Sequence, residues 1–307
     1  MKTISIGNGA LEASEISLGC MRISELSKAD AATLLHTALD EGINFFDHAD
    51  IYSGGKAEER FAEALDLGAN PGLRAKLILQ SKCGIQKGYF DFSKAHILEA
   101  VEGSLKRLRT DYLDVLLLHR PDALVEPEEV AEAFTLLQRS GKVKHFGVSN
   151  QNPMQIELLS KYLDQKLIIN QLQLSITNTG MIDAGINVNM QIDRSVDRDG
   201  SILDYCRLKD ITIQAWSPFQ YGFFEGVFLD NPKFPELNQK INEIAAAKGV
   251  PNTAIAIAWI LRHPAKIQPI VGTTNAGRIK DICRASGVVL SRPEWYEIYR
   301  AAGNKLP

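Results

Sequence analysis

Residues 112–150 read YLDVLLLHRPDALVEPEEVAEAFTLLQRSGKVKHFGVSN, and this stretch decides the fold. It contains an apolar run, Tyr112 to Leu118, and then a segment with a helical pattern that begins near Pro127 and that Gly141 closes. A second apolar run follows, His145 to Val148. Continuous apolar runs are typical of strands that are buried on both faces, as in parallel sheets. The stretch therefore predicts two parallel strands joined by a helix.

The same alternation extends along most of the chain, from Glu15 onward. Eight strands alternating with eight helices indicate a parallel sheet closed into a (β/α)8 barrel, the TIM barrel of the α/β class. A doubly wound sheet is the competing fold, but its G-x-G-x-x-G fingerprint does not occur in this chain. The eight predicted strands are Ile16 to Leu18, Ile43 to Phe46, Leu77 to Leu79, Tyr112 to Leu118, His145 to Val148, Leu167 to Ile169, Ile211 to Trp216 and Ile267 to Val271.

Three segments lie outside this alternation. Residues 3–13, around Asn8-Gly9, have the pattern of a β-hairpin that could cap the floor of the barrel. Residues 222–250 are predicted to be an insertion after the seventh strand, and an extra helix is expected at the C-terminus. Because no low-complexity linker or internal repeat divides residues 1–307, we expect a single domain.

Composition narrows the class of protein. The chain has 307 residues, 34 basic against 37 acidic side chains and a formal net charge of −3. This balance argues against nucleic acid or an anionic membrane as the main partner. The first residues, MKTISIGNGA, lack the apolar segment of a signal peptide, so we expect a cytoplasmic protein. Polar residues interrupt the longest uncharged stretch, Leu167 to Ile182, which therefore predicts no membrane span.

The cysteines and the lack of heptads give two further expectations. The four cysteines lie far apart with no C-x-x-C motif, which indicates reduced, buried thiols. The sequence contains no heptad pattern, so it gives no indication of the oligomeric state. The cysteines are Cys20, Cys83, Cys206 and Cys283.

Polar side chains follow the apolar runs at the points where a barrel of this kind has its active site. Asp47 and Tyr52 follow the second run, Lys82 follows the third, and His119 follows the fourth. An acid, a phenol, an ammonium group and an imidazole are therefore expected to meet at one mouth of the barrel.

These four groups together suggest a chemistry. An unperturbed tyrosine has a pKa near 10, and a nearby ammonium group can lower it by roughly 1–3 units. We expect Lys82 to lower the pKa of Tyr52, Asp47 to hold the ammonium group, and His119 to hydrogen-bond a carbonyl oxygen. A proton donor aimed at a carbonyl needs a hydride source, and this indicates a nicotinamide cofactor.

A metal-dependent hydrolase is the alternative considered for the same residues. Asp47, His48, Asp50 and His119 are all of ligand type. Such sites take ligands from several strands, whereas His48 and Asp50 share one loop and no comparable ligand ends the fifth or sixth strand. We therefore expect no metal.

With these residues, the sequence resembles the aldo-keto reductase superfamily, in particular its bacterial oxidoreductases. The matching motifs are Asp47-x-x-x-x-Tyr52, Ser81-Lys82-Cys83-Gly84 and Leu117-Leu118-His119, and the resemblance runs from about Ile4 to the final helix. It implies an NADPH-dependent reductase of aldehydes or ketones in which Tyr52 is the general acid. The alternative is a non-catalytic, nicotinamide-binding regulatory or partner subunit, like the barrel subunits of some ion channels.

The resemblance also implies a cofactor site. Ser149, Asn150 and Gln171 match residues that bind the nicotinamide carboxamide, and Trp216 matches the stacking aromatic. The segment Gly222 to Gly226 resembles the loop over the pyrophosphate. The remaining residues expected to bind the cofactor are Ser217, Pro218, Phe219, Gly272, Thr273, Thr274, Asn275, Arg278 and Asp281.

Two departures from the family pattern concern cofactor preference. Many members have a lysine where this chain has Gly272, and a Glu-Asn pair where it has Asp281-Ile282. Arg278 and Thr273 favour NADP(H), because arginine suits a 2′-phosphate, and NAD(H) remains the alternative.

The substrate cannot be deduced from the sequence beyond a small carbonyl compound. The chain after Asp281 is short, which suggests an open pocket. Candidate wall residues, chosen on position alone, are Tyr89, Phe219, Tyr221 and Phe223.

Overall fold

A computed structural model describes residues 1–307 and contains eight parallel strands closed into a barrel. The predicted (β/α)8 barrel is confirmed. The strands are β1 (Thr3–Ile6), β2 (Leu11–Ser14), β3 (Ser17–Gly19), β4 (Phe45–Asp47), β5 (Ile78–Cys83), β6 (Leu113–Leu118), β7 (Val143–Ser149), β8 (Leu167–Gln173), β9 (Thr212–Trp216), β10 (Gln220–Tyr221), β11 (Gly226–Val227) and β12 (Gln268–Val271). The order around the barrel is β12-β3-β4-β5-β6-β7-β8-β9, so neighbouring barrel strands follow one another along the chain, and β12 pairs with β3 to close the barrel.

The helices are α1 (Lys28–Asp40), α2 (Lys56–Ala64), α3 (Pro71–Arg74), α4 (Lys94–Leu108), α5 (Pro127–Arg139), α6 (Pro153–Ser160), α7 (Gly180–Ile186), α8 (Ile202–Leu208), α9 (Pro235–Lys248), α10 (Asn252–Leu261), α11 (Ala276–Cys283) and α12 (Arg292–Ala301). Several of them begin at a residue that caps the helix with its side chain. Ser27 and Ser93 accept backbone N–H groups at the starts of α1 and α4, and Asn152 forms a capping box with Gln155 at the start of α6.

Three barrel strands, β5, β7 and β8, are longer than their apolar runs. The third barrel strand, β5, continues through Gln80 and Lys82 to Cys83, and the sixth, β8, continues to Gln173. Lys82 therefore lies within a strand, whereas the sequence placed it after one. The strands continue because Gln80 and Lys82, although fully buried, find hydrogen-bond partners inside the barrel.

The N-terminal hairpin closes the floor of the barrel, as predicted. Ile4 and Ile6 pack against the inward side chains of the strands, among them Phe45 and Val115. At the turn, the Gly7 N–H donates to Thr212 Oγ1 over 3.0 Å. A side chain at Gly7 would collide with Ile168, and its φ of +61° also favours glycine.

The predicted insertion and the extra C-terminal helix are both present and both lie outside the barrel pattern. The insertion includes α9, which packs against α12. Trp259 of α10 and Trp295 of α12 stack with their ring centres 4.7 Å apart, and each indole N–H donates to the backbone carbonyl of the other. This reciprocal pair fastens the C-terminal helix to the barrel.

Two other features follow from the packing. All four cysteines are free and buried, as their spacing indicated. No single helix has the length and apolar character of a membrane span; only α9 and α10 taken together reach it, and a bend of 95° separates them.

Candidate active site

The four residues predicted to be catalytic meet at the carboxyl end of the barrel. Lys82 Nζ lies 2.8 Å from Asp47 Oδ2, 2.8 Å from the backbone oxygen of His48 and 2.9 Å from the Tyr52 hydroxyl oxygen. An ammonium group has three donors, so all three are used. Because Lys82 donates to the phenol oxygen, the hydroxyl proton of Tyr52 is free to donate outward. The ring of His119 packs edge-on against Tyr52, with centres 5.9 Å apart.

A tight turn places Tyr52. Ser53, Gly54 and Gly55 follow it with φ values of +51°, +63° and +88°, before α2 begins. A side chain at Gly55 would meet the Arg107 side chain at 2.6 Å. The glycines therefore allow the chain to turn away sharply and leave the Tyr52 ring at the mouth.

Burial changes the pKa values expected for Tyr52 and Lys82. Burial raises the pKa of Tyr52 above its ordinary value, and the opposing effect of Lys82 does not cancel it. Lys82 does lower the pKa of Tyr52, as expected, but the expected net lowering is wrong, because desolvation of the phenolate outweighs the attraction of the ammonium group. Burial disfavours the charged form of Lys82, but Asp47 and Tyr52 outweigh it and raise the pKa of Lys82. Tyr52 holds its proton and Lys82 holds its charge at neutral pH.

His119 is uncharged at neutral pH. Burial lowers its pKa well below the ordinary value, and Lys82 and Arg120 lower it further. Its Nδ1 is buried without a partner, so an oxygen that enters the mouth would meet Nε2. In the tautomer with the proton on Nε2, His119 can donate one hydrogen bond to that oxygen.

Four buried glutamines behind Asp47 form a network that the sequence analysis missed. Gln80 and Gln171 each donate to Asp47 Oδ1, over 2.6 and 3.1 Å, and each also donates to Gln214 Oε1. Gln214 donates to Gln268 over 2.8 Å, and Gln268 donates to the backbone oxygen of Ser14 in β2 over 2.7 Å. The signal available in the sequence was the presence of glutamine in four otherwise largely apolar strands.

The residues predicted to bind the nicotinamide carboxamide lie together, and their hydrogen bonds distinguish their roles. Ser149 is buried; its hydroxyl accepts from Asn150 Nδ2 and donates to the backbone oxygen of Gln171. Asn150 Oδ1 accepts from the Trp216 indole over 3.1 Å, which leaves one Nδ2 hydrogen free. Because both amide hydrogens of Gln171 bind inside the barrel, only its Oε1 is free to meet a carboxamide.

Aromatic residues of the loop after β9 cover Trp216. Phe224 stacks on the Trp216 ring with centres 5.8 Å apart, and Phe223 packs edge-on at 6.4 Å. Phe219 and Tyr221, named as pocket-wall candidates, are partly buried and pack against the hydrophobic core. Ser217 donates to Gln220 Oε1, Pro218 is buried, and the Gly222 carbonyl accepts from Gln173 over 2.7 Å. Tyr89 is exposed, with 60% of its surface accessible.

The loop predicted to hold a 2′-phosphate leads into α11. Asn275 caps this helix by accepting the Arg278 N–H over 2.9 Å, and Arg278 is exposed beside the cap. Thr273 is buried and accepts the Asn275 N–H, Thr274 is half-buried, and Asp281 is exposed. Ile282 is fully buried, so the residue at this position packs in the core.

A second arginine, missed by the sequence analysis, adjoins this loop. Arg22, in the loop after β3, donates to the backbone carbonyl of Gly272. A side chain at Gly272 would meet no atom within 4 Å. Arg22 therefore brings a cation next to the position at which many family members have a lysine.

Two of the residues considered as metal ligands, His48 and Asp50, have different surroundings in the structure. His48 is fully buried edge-on to Phe61, and burial lowers its pKa to about 3. Asp50 lies near buried Glu58, and burial raises its pKa to about 7. No group of three or more His, Cys, Asp or Glu side chains in the structure could hold a metal ion.

Comparisons with known proteins agree with this geometry. A model of the aldo/keto reductase family matches residues 15–302. The chain is 39% identical to the uncharacterized oxidoreductase YcsN of Bacillus subtilis, over 97% of each chain. It is 36% identical to 6-dehydroglucose reductase of Agrobacterium fabrum, over 96% of each chain. The crystal structure of an aldo/keto reductase from Klebsiella pneumoniae in complex with NADP and acetate has a TM-score of 0.76 and 26% identity, and covers 100% of this chain and 99% of that one.

The chain therefore belongs to the aldo/keto reductase family, whose members are NAD(P)H-dependent oxidoreductases. This confirms the resemblance that the sequence motifs indicated.

Proposed function

We propose that the protein is an NADPH-dependent reductase that converts an aldehyde or ketone to an alcohol, with Tyr52 as the general acid. One observation carries the proposal: Lys82 donates to the Tyr52 oxygen while Asp47 and the His48 carbonyl hold the other two ammonium hydrogens. The phenol oxygen thereby accepts from Lys82, which leaves its own proton free to be donated at the mouth. This arrangement fits proton donation to an oxygen that becomes negative during the reaction.

In the proposed reaction, Tyr52, His119, Lys82 and Asp47 each have a separate role at the substrate carbonyl. When bound, the nicotinamide supplies the hydride. Tyr52 and neutral His119 both donate to the carbonyl oxygen, which polarises the bond, and Tyr52 then transfers its proton to that oxygen. The Lys82 ammonium group stabilises the phenolate left behind, and Asp47 keeps the ammonium group in position.

The cofactor site fits a nicotinamide dinucleotide with a 2′-phosphate. Trp216 offers a half-exposed ring for stacking, Asn150 keeps one free amide hydrogen, and Gln171 keeps a free amide oxygen. The N-terminus of α11, with Arg278 and Arg22 beside it, suits a phosphate by its N–H groups and charge.

Replacing Arg278 with methionine tests the cofactor assignment. Charge-assisted hydrogen bonds contribute about 1.5–3 kcal/mol, so Arg278→Met should raise the Kd of NADPH by about tenfold or more. Arg22→Met should raise it less, about threefold, because Arg22 also binds a backbone carbonyl. Neither change should alter the Kd of NADH, measured by titration of protein fluorescence.

Arg284 provides the control for that titration. It is exposed and bonded to the Gly249 carbonyl, away from α11's N-terminus, so Arg284→Met should leave both dissociation constants unchanged. An unaltered Kd of NADPH in Arg278→Met would show that Arg278 does not bind the phosphate.

A turnover assay tests the reaction itself. NADPH oxidation, followed by absorbance with a panel of aldehydes, ketones and quinones, should show multiple turnovers. The panel should include a sugar aldehyde, because a relative is named 6-dehydroglucose reductase. Binding of NADPH without turnover on any carbonyl would contradict the proposal and favour the alternative, a regulatory or partner subunit.

A further inference from the structure

One cation at the mouth has no function in the arrangement described above. Arg120 follows His119 directly at the carboxyl end of β6, and its side chain is half-buried. Its guanidinium carbon lies 5.6 Å from the centre of the Trp216 ring. Burial lowers the pKa of Arg120, and Tyr52 is the ionisable side chain that acts on it. The guanidinium group therefore lies beside the aromatic ring of the site, on the strand end that also carries His119.

Arg120 differs from the other largely buried arginines because no carboxylate pairs with it. Arg74 lies 2.9 Å from Asp114, and Arg107 lies 2.7 Å from Glu58. A cation that is partly removed from water is costly unless a partner compensates it. In Arg74 and Arg107 the protein supplies the partner, whereas in Arg120 it does not.

The carboxylates nearest to Arg120 in the sequence and at the mouth bind elsewhere. Asp122 accepts the backbone N–H groups of Phe92 and Leu124 over 2.9 and 2.8 Å. Asp47 is bound to Lys82 and to two glutamine amides. Neither carboxylate pairs with the guanidinium group, so Arg120 keeps its N–H donors free for an anionic group that enters the mouth.

We propose that Arg120 binds an anionic oxygen group of the substrate, so that the preferred substrates are carbonyl compounds that also carry a carboxylate, phosphate or sulfonate. The planar guanidinium offers paired N–H donors that match two oxygens of such a group. The carbonyl would lie at Tyr52 and His119, and the anionic group at Arg120. Trp216 would contact the carbon skeleton between them. This inference rests on the proposed function and adds its substrate class.

A matched pair of substrates separates charge recognition from general catalysis. Succinic semialdehyde and its methyl ester share an aldehyde and differ in one negative charge. Wild-type protein with NADPH should show at least a tenfold higher kcat/KM for the acid. Arg120→Met should lower kcat/KM for the acid by about 10- to 100-fold, as expected for loss of a charge-assisted hydrogen bond. It should change the value for the ester less than threefold, and Arg120→Lys should restore part of the preference.

Three results would overturn the inference. Equal losses on acid and ester would show that Arg120 only supports the Trp216 ring. A raised Kd of NADPH in Arg120→Met would show that it binds the cofactor. A wild-type protein without preference for the acid would show no anion recognition.

A binding measurement keeps this test independent of the proposed reaction. Succinate should alter the tryptophan fluorescence of the NADPH-bound wild-type protein, dimethyl succinate should not, and Arg120→Met should abolish the response to succinate. If no carbonyl is reduced but succinate binds through Arg120, the proposed reaction fails while the anion site stands. If carbonyls are reduced and succinate does not bind, the anion site fails alone.

Discussion

Replacing Tyr52 with phenylalanine is expected to lower kcat for carbonyl reduction by about 10³-fold, within the range that general-acid catalysis contributes. The change removes one hydroxyl group, which is the proton donor to the carbonyl oxygen in the proposed reaction. Lys82 keeps Asp47 and the His48 carbonyl as partners, so the ring and the charge pair should stay in place. The measurement is steady-state oxidation of NADPH with a reactive aldehyde.

The control for this variant is cofactor binding, because the Tyr52 hydroxyl is bonded to Lys82 and to no residue of the predicted cofactor site. The Kd of NADPH should remain within a factor of two of the wild-type value. Retained turnover of the aldehyde with an unchanged Kd would refute the role of Tyr52.

The wild-type pH profile gives a second view of the same group. Since burial raises the pKa of Tyr52 and lowers that of His119, the acid form of Tyr52 and the neutral form of His119 both persist across neutral pH. The reduction rate should therefore be flat between about pH 6 and 9 and decline only near or above the ordinary tyrosine pKa of about 10.

Replacing Lys82 with methionine is expected to impair both turnover and stability. Lys82 and Asp47 form a pair in which neither side chain has more than 4% of its surface exposed. Removing one partner of a buried pair costs about 3–5 kcal/mol, because the other charge is left uncompensated. Urea unfolding should show this loss. Turnover should fall by about 10²-fold or more, since the phenolate of Tyr52 then forms without a cation beside it.

A double variant separates the two effects. In Asp47→Asn/Lys82→Met the buried charge is gone, while the Asn oxygen can still accept from Gln80 and Gln171. The free energy of unfolding should return towards the wild-type value, and turnover should stay low. Recovery of turnover in the double variant would mean that Lys82 acts through stability alone.

The fold could be predicted from the sequence because each signal was local. Apolar runs, cap residues such as Ser27 and Asn152, and the polar residues after each run all lie within a few positions of the element they define. The four residues predicted to be catalytic could be found for the same reason. The carboxyl ends of barrel strands meet at one mouth, so the ends of three apolar runs indicated Asp47, Lys82 and His119.

The features that were missed depend on contacts between distant residues or on burial. Nothing near Arg22 in the sequence indicates that it reaches Gly272, 250 residues further along the chain. The direction of the Tyr52 pKa shift depends on how completely the barrel excludes water from the phenol, which the motif does not encode. Many family members have an asparagine at the position of Ile282, so the isoleucine suggested a lost cofactor contact. In the structure its side chain is part of the core.

The glutamine network gives the floor hairpin a part in the chemistry at the opposite end of the barrel. Asp47 at one end and the Ser14 carbonyl at the other can only accept hydrogen bonds, so neither tolerates an amide oxygen. Each amide between them consequently has one permitted orientation, and none can flip alone. The orientation of the glutamine amide dipoles behind Asp47 is thus set before any substrate arrives. It depends on the backbone oxygen of Ser14 in the N-terminal hairpin, which fixes the amide at the other end of the network.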